Sequence, residues 1–169
     1  MKNFYDLFVH QLQDMYAAEI EIEKALPLMA KMASLPKLKE AFHDHHRETK
    51  KHITRLEKIA DHLGISLEKC HCEAIEGILA EGKALIKAHY PEEVRDAALI
   101  VSAQRVEHYE MAVYGVLKSF AKHLKFDDII DSLNESSKEE GHADKKLTEI
   151  AEGTLFTTGV NAKAIKKTA

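Results

Sequence analysis

Four long stretches of the chain carry apolar residues three or four positions apart, and this spacing constrains the fold more than any other feature. Residues with that spacing lie along one face of an α-helix. The stretches cover about residues 3–33, 37–63, 91–124 and 127–152. Only three prolines and seven glycines interrupt the 169 residues. The sequence therefore predicts an all-α protein with four long helices.

The connections between these helices predict how they are arranged. The first and second helices, and the third and fourth, are joined by short breaks, which place each pair antiparallel. Residues 64–90 form a longer connection with an apolar period of its own over about residues 73–88. A connection of this length can cross the whole bundle, as in ferritin-like bundles. We predict an antiparallel ferritin-like four-helix bundle over residues 1–152, with the extra short helix in its crossover, and a C-terminal tail over residues 153–169 without sustained periodicity.

Several residues at the ends of the stretches support these boundaries. Asn3, Ser34 and Asp127 stand where side chains cap helix N-termini. Gly64 stands where glycine ends a helix.

Composition and charge exclude some classes of function. A formal net charge of −4 gives no general reason to bind nucleic acid or an anionic membrane surface. No run approaches the roughly 18–20 apolar residues of a membrane span, and the N-terminus "MKNFYDLFVHQ" lacks the apolar core of a signal peptide. We expect a cytoplasmic protein that contacts neither a membrane nor nucleic acid. The "KCHCE" run lacks a second cysteine pair, so Cys70 and Cys72 are interpreted as ordinary thiols.

Polar residues interrupt the inward apolar face near the middle of every long helix. A helix that buries one face normally keeps that face apolar. Here the interruptions are mostly acids and histidines: Glu19 in the first helix, His45, Glu48 and His52 in the second, Glu107 and Glu110 in the third, and Glu140 and Asp144 in the fourth. Because all four helices agree, we interpret these residues as one site.

Electrostatics limits what such a site can be. Two carboxylates about 4 Å apart repel by about 4 kcal/mol at an effective dielectric constant of about 20. Either several of the acids are protonated and form a polar network without metal, or cations lie among them. Carboxylates with one or two imidazoles suit iron or manganese better than structural zinc. We predict two divalent metal ions, iron or manganese, bound by Glu19, Glu48, His52, Glu107, Glu110, Glu140 and Asp144.

Two details of this ligand set stay open at the level of the sequence. His45 also points inward and can be a ligand, a positioning residue or a core histidine. Glu139 and His142 form a literal E-x-x-H pair, but they lie off the inward face and rank second as ligands.

Five segments carry a family resemblance: "QDMYAAEIEIEKALPLMAKMA", "HRETKKHITRLEKIADHLG", "CEAIEGILAEG", "SAQRVEHYEMAVYG" and "EEGHADKKLTEIAE". In this order they resemble the YciE/YciF family of ferritin-like bacterial stress-associated proteins. The resemblance implies a ferritin-like bundle that forms a homodimer.

The wider ferritin-like pattern also implies roles for individual residues. Glu19 and Glu107 correspond to the single glutamates of the first and third helices, and Glu48 and Glu140 to the bridging glutamates. Glu110 resembles the extra glutamate of an E-x-x-E variant. Tyr114, seven residues after Glu107, matches the tyrosine of an E-x6-Y pattern that supports the ligands. The second helix departs from the pattern, because Glu48 and His52 are four residues apart instead of three.

Two functional hypotheses follow. The protein is a di-metal oxidoreductase that oxidises Fe(II) or reduces O2 or peroxide, with no catalytic residue assigned. Its electrons would come from an external donor, because the chain lacks a four-cysteine electron-transfer module. Alternatively, it is a non-catalytic, stress-associated dimer in which the metal only stabilises the bundle.

Overall fold

The computed structural model describes residues 1–68, 70–87 and 90–166. Its helices are α1 (Phe4–Met32), α2 (Pro36–Leu63), α3 (Glu73–Lys87), α4 (Glu92–Leu124), α5 (Ile130–Glu152) and α6 (Val160–Lys166). A 3-10 turn, Asp127–Ile129, precedes α5, and the antiparallel strands β1 (Gly153–Thr154) and β2 (Thr157–Thr158) follow it. The all-α class is confirmed. The last residue of the predicted short helix, residue 88, lies outside the described residues.

The four long helices form an antiparallel bundle with a single crossover, as predicted. The ring of Phe4, at the start of α1, lies 4.6 Å from that of Phe120, near the end of α4, so these helices run in opposite directions. Asp44, early in α2, pairs with Lys146, late in α5, which makes these two antiparallel as well. Helices α2 and α4 therefore run in the same direction. The connection between them must cross the length of the bundle, and it carries α3, which packs against α1 and α4.

Residues that lie alternately four and three positions apart form the inward faces of α1, α2 and α4. In α2, Leu38, Phe42, His45, Thr49, His52, Leu56 and Ile59 are all buried. The same alternation selects buried residues in α1 and in α4, from Phe8 to Met29 and from Ile100 to Ala121. This is the heptad spacing of packed helices.

The core consists of two apolar clusters with a polar layer between them. One cluster includes Leu26, Leu38 and Leu99, and the other includes Leu12 and Leu117. Each fully buried side chain of this kind contributes about 1.5–3 kcal/mol to folding. These two clusters hold the helices in register, so the acids and histidines between them occupy fixed positions.

The helix ends confirm two of the predicted caps and correct two. Asn3 caps α1 by accepting a hydrogen bond from a backbone N–H, and Gly64 ends α2 with φ of 66°. Ser34 does not cap α2. The carboxylate of Asp96, on α4, instead accepts hydrogen bonds from the backbone N–H groups of Ser34 and the next residue, at 2.7 and 2.8 Å. Asp127 does not cap α5 either, because it begins the 3-10 turn.

The segment after α5 has more structure than its sequence predicts. Gly153 adopts φ of 85°, and a Cβ atom on Gly159 would lie 2.3 Å from a backbone oxygen of α5, so this close return of the chain requires glycine. Val160 joins the first apolar cluster through α6. The hairpin turn leaves Leu155 and Phe156 93% and 91% exposed. Residues 167–169 of the predicted tail lie outside the described residues.

No helix in the described ranges of the chain is both long and apolar enough to cross a bilayer.

Candidate metal centre

Six buried side chains from four helices meet between the two apolar clusters. Each is at most 4% exposed. They form two groups, and within each group the ligand atoms lie within 4.8 Å of one another. We name these groups the His52 half, formed by Glu19, His52 and Glu140, and the His45 half, formed by His45, Glu107, Glu110 and Glu140. Glu140 belongs to both halves, so its two carboxylate oxygens can serve two ions.

The His52 half is tightly connected on its inner side. Nδ1 of His52 lies 2.7 Å from Oε1 of Glu140 and 3.2 Å from Oε1 of Glu19. The hydroxyl of Tyr114 donates a hydrogen bond to Oε1 of Glu19 at 2.5 Å. Tyr114 is fully buried and thereby fixes the orientation of the Glu19 carboxylate.

The outer side of the His52 half is closed by an ion-pair network. Nε2 of His52 lies 2.9 Å from Oε2 of Glu139, and Arg55 donates to the same oxygen at 2.5 Å. Arg55 also pairs with Glu135 at 2.9 Å. A carboxylate on the second nitrogen of a metal-binding histidine is the usual way to fix that ring and its tautomer. The side chain of His52 is completely shielded from solvent.

The His45 half faces a cavity instead of an ion pair. Nε2 of His45 lies 3.3 Å from Oε1 of Glu107 and 3.6 Å from Oε2 of Glu140. A cavity of about 320 Å³ between α2 and α5 is lined by both His45 and Glu107. Solvent-sized molecules can therefore come close to this half of the centre.

Nine buried nitrogen and oxygen atoms of these six residues make no hydrogen bond within the part of the chain that the structure describes. They include both ring nitrogens of His45 and both carboxylate oxygens of Glu110 and of Glu140. Each buried polar atom without a partner costs roughly 1–3 kcal/mol. Such atoms are rare in folded proteins and require an explanation. A shared positive ion is the simplest partner for converging lone pairs.

Burial and mutual repulsion shift the pKa values of the acids. Burial, followed by the negative charge of Glu140, raises the pKa values of Glu107 and Glu110 well above their ordinary range. Burial alone would lower the pKa of His52, but its contacts with Glu140 and Glu19 raise it to about 10. Burial would likewise raise the pKa of Glu140, but the close contact with His52 and the nearby His45 lower it. In the absence of cations, the acids cannot all be ionised together.

The donor set fits divalent metal ions. It contains four carboxylates and two imidazoles, and it contains no thiolate, which structural zinc sites favour. Two divalent ions would supply four positive charges, which would balance the four carboxylates when both imidazoles are neutral. Carboxylate and imidazole ligands suit iron and manganese. The buried cluster can therefore hold metal ions.

Five of the seven predicted ligands lie in the centre, namely Glu19, His52, Glu107, Glu110 and Glu140. Glu48 and Asp144 do not. The side chain of Glu48 is 34% exposed, and its Oε2 lies 3.9 Å from Nδ1 of His45. Asp144 accepts a hydrogen bond from Gln104 at 3.0 Å and lies 3.3 Å from the exposed ring of His108. Metal binding by any of the seven stays a prediction.

The structure also places the residues that the sequence left open. His45 lies inside the centre, which the strict four–three alternation of α2 could have indicated. Of the E-x-x-H pair, Glu139 contacts the outer nitrogen of His52, and His142 is exposed at the cavity. Tyr114 supports Glu19.

The two cysteines lie away from the metal groups. Neither Cys70 nor Cys72 belongs to either half of the centre, and both thiols are free. The sulfur of Cys72 lies 3.0 Å from the hydroxyl of Tyr109.

Comparisons with known proteins agree with this fold. The pattern of the family "Domain of unknown function (DUF892)" matches residues 3–164. Protein YciF of Escherichia coli (strain K12) is 39% identical over 168 residues, which cover 99% of this chain and 98% of that protein.

Two solved structures are also similar. YcfI of Rhodopseudomonas palustris, named there as a candidate structural protein, superimposes with a TM-score of 0.87 and is 38% identical. That match covers 89% of this chain and 96% of the other. The E. coli stress protein YciF superimposes with a TM-score of 0.85 at 39% identity, over 88% of this chain and 94% of the other.

Proposed function

The chain belongs to the DUF892 family and is 39% identical to YciF of E. coli, and from this premise we propose that it is a di-metal protein of the stress response that oxidises Fe(II) or reduces O2 or peroxide. The observation that carries the proposal is the set of nine buried atoms, converging from four helices, that make no hydrogen bond to any described residue. The link to stress rests on the name of the E. coli stress protein YciF alone.

The proposed ligands divide between two ions. Glu19 and His52 would hold one ion, His45, Glu107 and Glu110 the other, and Glu140 would be shared. Bound iron or manganese would supply Lewis acidity and one-electron redox chemistry. Tyr114 holds Glu19 in place, and Glu139 holds His52 in place, so the chain pre-organises one side of the centre before any ion arrives.

The environment of the centre suits redox chemistry with small oxidants. The apolar clusters on both sides keep bulk water away from the ligands. The cavity beside His45 gives molecules of the size of O2 or peroxide a route to the His45 half. Turnover would also require electrons, and we propose an external electron donor, since the chain has only two cysteines.

A second function is supported by the description of the R. palustris relative as a candidate structural protein. In that case the metal stabilises the bundle and no turnover occurs. The closed His52 half, with its ion-pair network, suits a purely structural ion as well as a redox ion.

Metal analysis followed by an oxidation assay distinguishes these functions. The metal-free protein is reconstituted with Fe(II) under anaerobic conditions, its bound iron is counted, and O2 or peroxide is then added while absorbance is recorded. Two ions per chain with rapid oxidation support the oxidoreductase. Two ions without faster oxidation than free Fe(II), together with a higher melting temperature, support the structural function.

A matched pair of variants controls this assay. Glu140→Gln removes the shared ligand, and Glu149→Gln makes the same charge change on an exposed part of α5. Only the first should lower bound iron to less than one ion per chain and abolish oxidation. Equal loss in both variants would contradict an assignment to this centre.

We further propose that the protein is a cytoplasmic homodimer. The exposed apolar side chains of Leu28, Val101, Leu155 and Phe156 support a partner surface. Sedimentation equilibrium of the full chain tests this, and a monomer at micromolar concentration would contradict it.

A further inference from the structure

The cavity beside the His45 half contains the predicted ligand that lies outside the centre. Glu48 is on its wall, and His45 and Glu107 are deeper. The exposed fraction of the side chain falls from 34% for Glu48 to 5% for His45 and 2% for Glu107. The three side chains therefore form a path from solvent into the buried centre.

From this arrangement we propose that the cavity between α2 and α5 is the entry route for divalent cations, and that Glu48 is a transit ligand that captures the ion and delivers it to His45. The inference rests on the proposed di-metal function. It gives Glu48 a role that differs from the permanent ligand predicted from the sequence.

The first support is the imidazole of His45, which spans the route. Its Nδ1 faces Glu48 at 3.9 Å, and its Nε2 faces Glu107 at 3.3 Å. Neither nitrogen has a hydrogen-bond partner in the described part of the chain, although the ring is almost completely buried. A buried imidazole without a partner that lines an open cavity is a ligand ready for an incoming ion.

The second support is the availability of the Glu48 carboxylate on a wall that also carries lysine and arginine. Lys146 and Arg47 both pair with Asp44, at 2.6 and 2.5 Å, so the carboxylate of Asp44 is already neutralised. Glu48 has no ion pair with lysine or arginine among the described residues, and its carboxylate is the acid available to an incoming cation. Lys51 also lines the cavity, and its charge should slow cation entry.

The third support is the closure of the opposite side. The ring of His52 is covered by Glu139, which Arg55 holds in place. An ion approaching from that side would have to break this network, whereas the cavity provides a path without such a barrier. The His45 half should therefore receive ions first.

Stopped-flow binding of Co2+ to the metal-free full-length protein tests the route, because the absorbance of bound Co2+ reports each binding event directly. We expect Glu48→Gln to slow binding roughly tenfold, as for loss of electrostatic steering at a cleft, while the final stoichiometry is unchanged. Glu40→Gln removes the same charge from an exposed position on the same helix and should bind Co2+ as fast as the wild type. Lys51→Gln should bind faster.

A second variant tests the cavity itself. Ala143 lines its wall, and Ala143→Phe should slow Co2+ binding by filling the cavity. Its circular dichroism and melting curve establish that the variant is folded. If Ala143→Phe does not fold, the Co2+ binding rates of Glu48→Gln and Lys51→Gln decide whether the cavity is the entry route.

Each other result has a defined meaning. Unchanged binding rates in Glu48→Gln and a folded Ala143→Phe overturn the entry route and leave the di-metal function standing. If Glu48→Gln binds one Co2+ fewer at equilibrium, Glu48 is a permanent ligand, and its proposed role as a transit ligand is overturned. If the wild type binds no Co2+, Mn2+ or Fe(II), the proposed function fails and the route fails with it.

Discussion

The two halves of the buried centre share Glu140 but are built differently. In the His52 half, the imidazole contacts acids through both nitrogens, and Arg55 and Glu139 close it from outside. In the His45 half, the imidazole lies 3.3–3.9 Å from its acids, makes no hydrogen bond among the described residues, and adjoins a cavity of about 320 Å³. The first half is pre-organised and closed, and the second is accessible.

Under the proposed di-metal function, this difference would let one bundle combine retention and exchange of metal. A ligand whose outer nitrogen is fixed by a carboxylate binds metal more tightly than an unsupported one. We therefore expect the ion in the His52 half to be retained and the ion in the His45 half to exchange. Reactions with small molecules would then take place on the accessible side.

Replacing the shared carboxylate should have the largest effect. Glu140→Gln takes a ligand from both halves, so bound metal should fall from two ions to less than one per chain. Saturation at a hundred times the Kd stabilises a protein by about 2.7 kcal/mol per site, and this metal-dependent stabilisation should disappear. Melting curves with and without Mn2+ measure it. A loss confined to one ion would show that the two halves are independent.

Replacing each of the two histidines in turn should show how much each half contributes to the stability of the metal-free protein. Without metal, His52→Ala leaves Glu19, Glu139 and Glu140 without their imidazole partner, and breaking a buried ion pair costs about 3–5 kcal/mol. His45→Ala removes a ring that has no hydrogen-bond partner among the described residues, so the loss should be clearly smaller. Chemical denaturation of the metal-free proteins measures both. Equal losses would contradict the asymmetry.

Opening the closed side of the His52 half should weaken the binding of only one ion. Glu139→Gln exchanges the carboxylate that faces Nε2 of His52 for a weaker acceptor and also loses the ion pair with Arg55. Loss of such a supporting carboxylate typically lowers metal affinity 10–100-fold. In a calorimetric titration with metal, one of the two binding steps should show this lower affinity. Glu135→Gln is the matched control, because Glu135 pairs with the same arginine but is 64% exposed. A shift of both steps would contradict the separation of the halves.

Removing the hydroxyl of Tyr114 should have the smallest effect. Tyr114→Phe deletes the hydrogen bond to Glu19 and keeps the ring, so we expect a loss of about 1–2 kcal/mol in unfolding free energy. The His52 half should also bind its ion more weakly, while the His45 half is unaffected. Denaturation and calorimetry of the same sample measure both effects. Unchanged affinity would mean that Tyr114 supports only the fold.

The bundle was predictable because helix length and connection length determine it, and these are local properties of the chain. The inward positions were predictable only where the four–three alternation was followed strictly. In α2 this alternation selects Thr49, which is fully buried, instead of Glu48. In α5 it selects Ala143 instead of Asp144. In both helices the prediction favoured an acidic side chain over the position that the heptad requires.

Other features depend on contacts between distant residues and have no local signal. Asp96 caps α2 from α4, across about sixty positions of sequence. Arg55 closes the His52 half by meeting Glu139 from a different helix. The hairpin and α6 are too short to produce a period, and their position depends on Gly153 and Gly159, which follow α5. Such contacts appear only when the helices are placed in three dimensions.

Elemental analysis of the reconstituted wild-type protein tests the central claim most directly, since the claim is that divalent ions compensate four buried carboxylates. The metal-free chain is incubated with Fe(II) or Mn2+, freed of excess metal, and its metal content is measured together with its melting temperature. We predict up to two ions per chain and a higher melting temperature than that of Glu140→Gln treated in the same way. Absence of bound metal, with Glu140→Gln as stable as the wild type or more stable, would contradict the account.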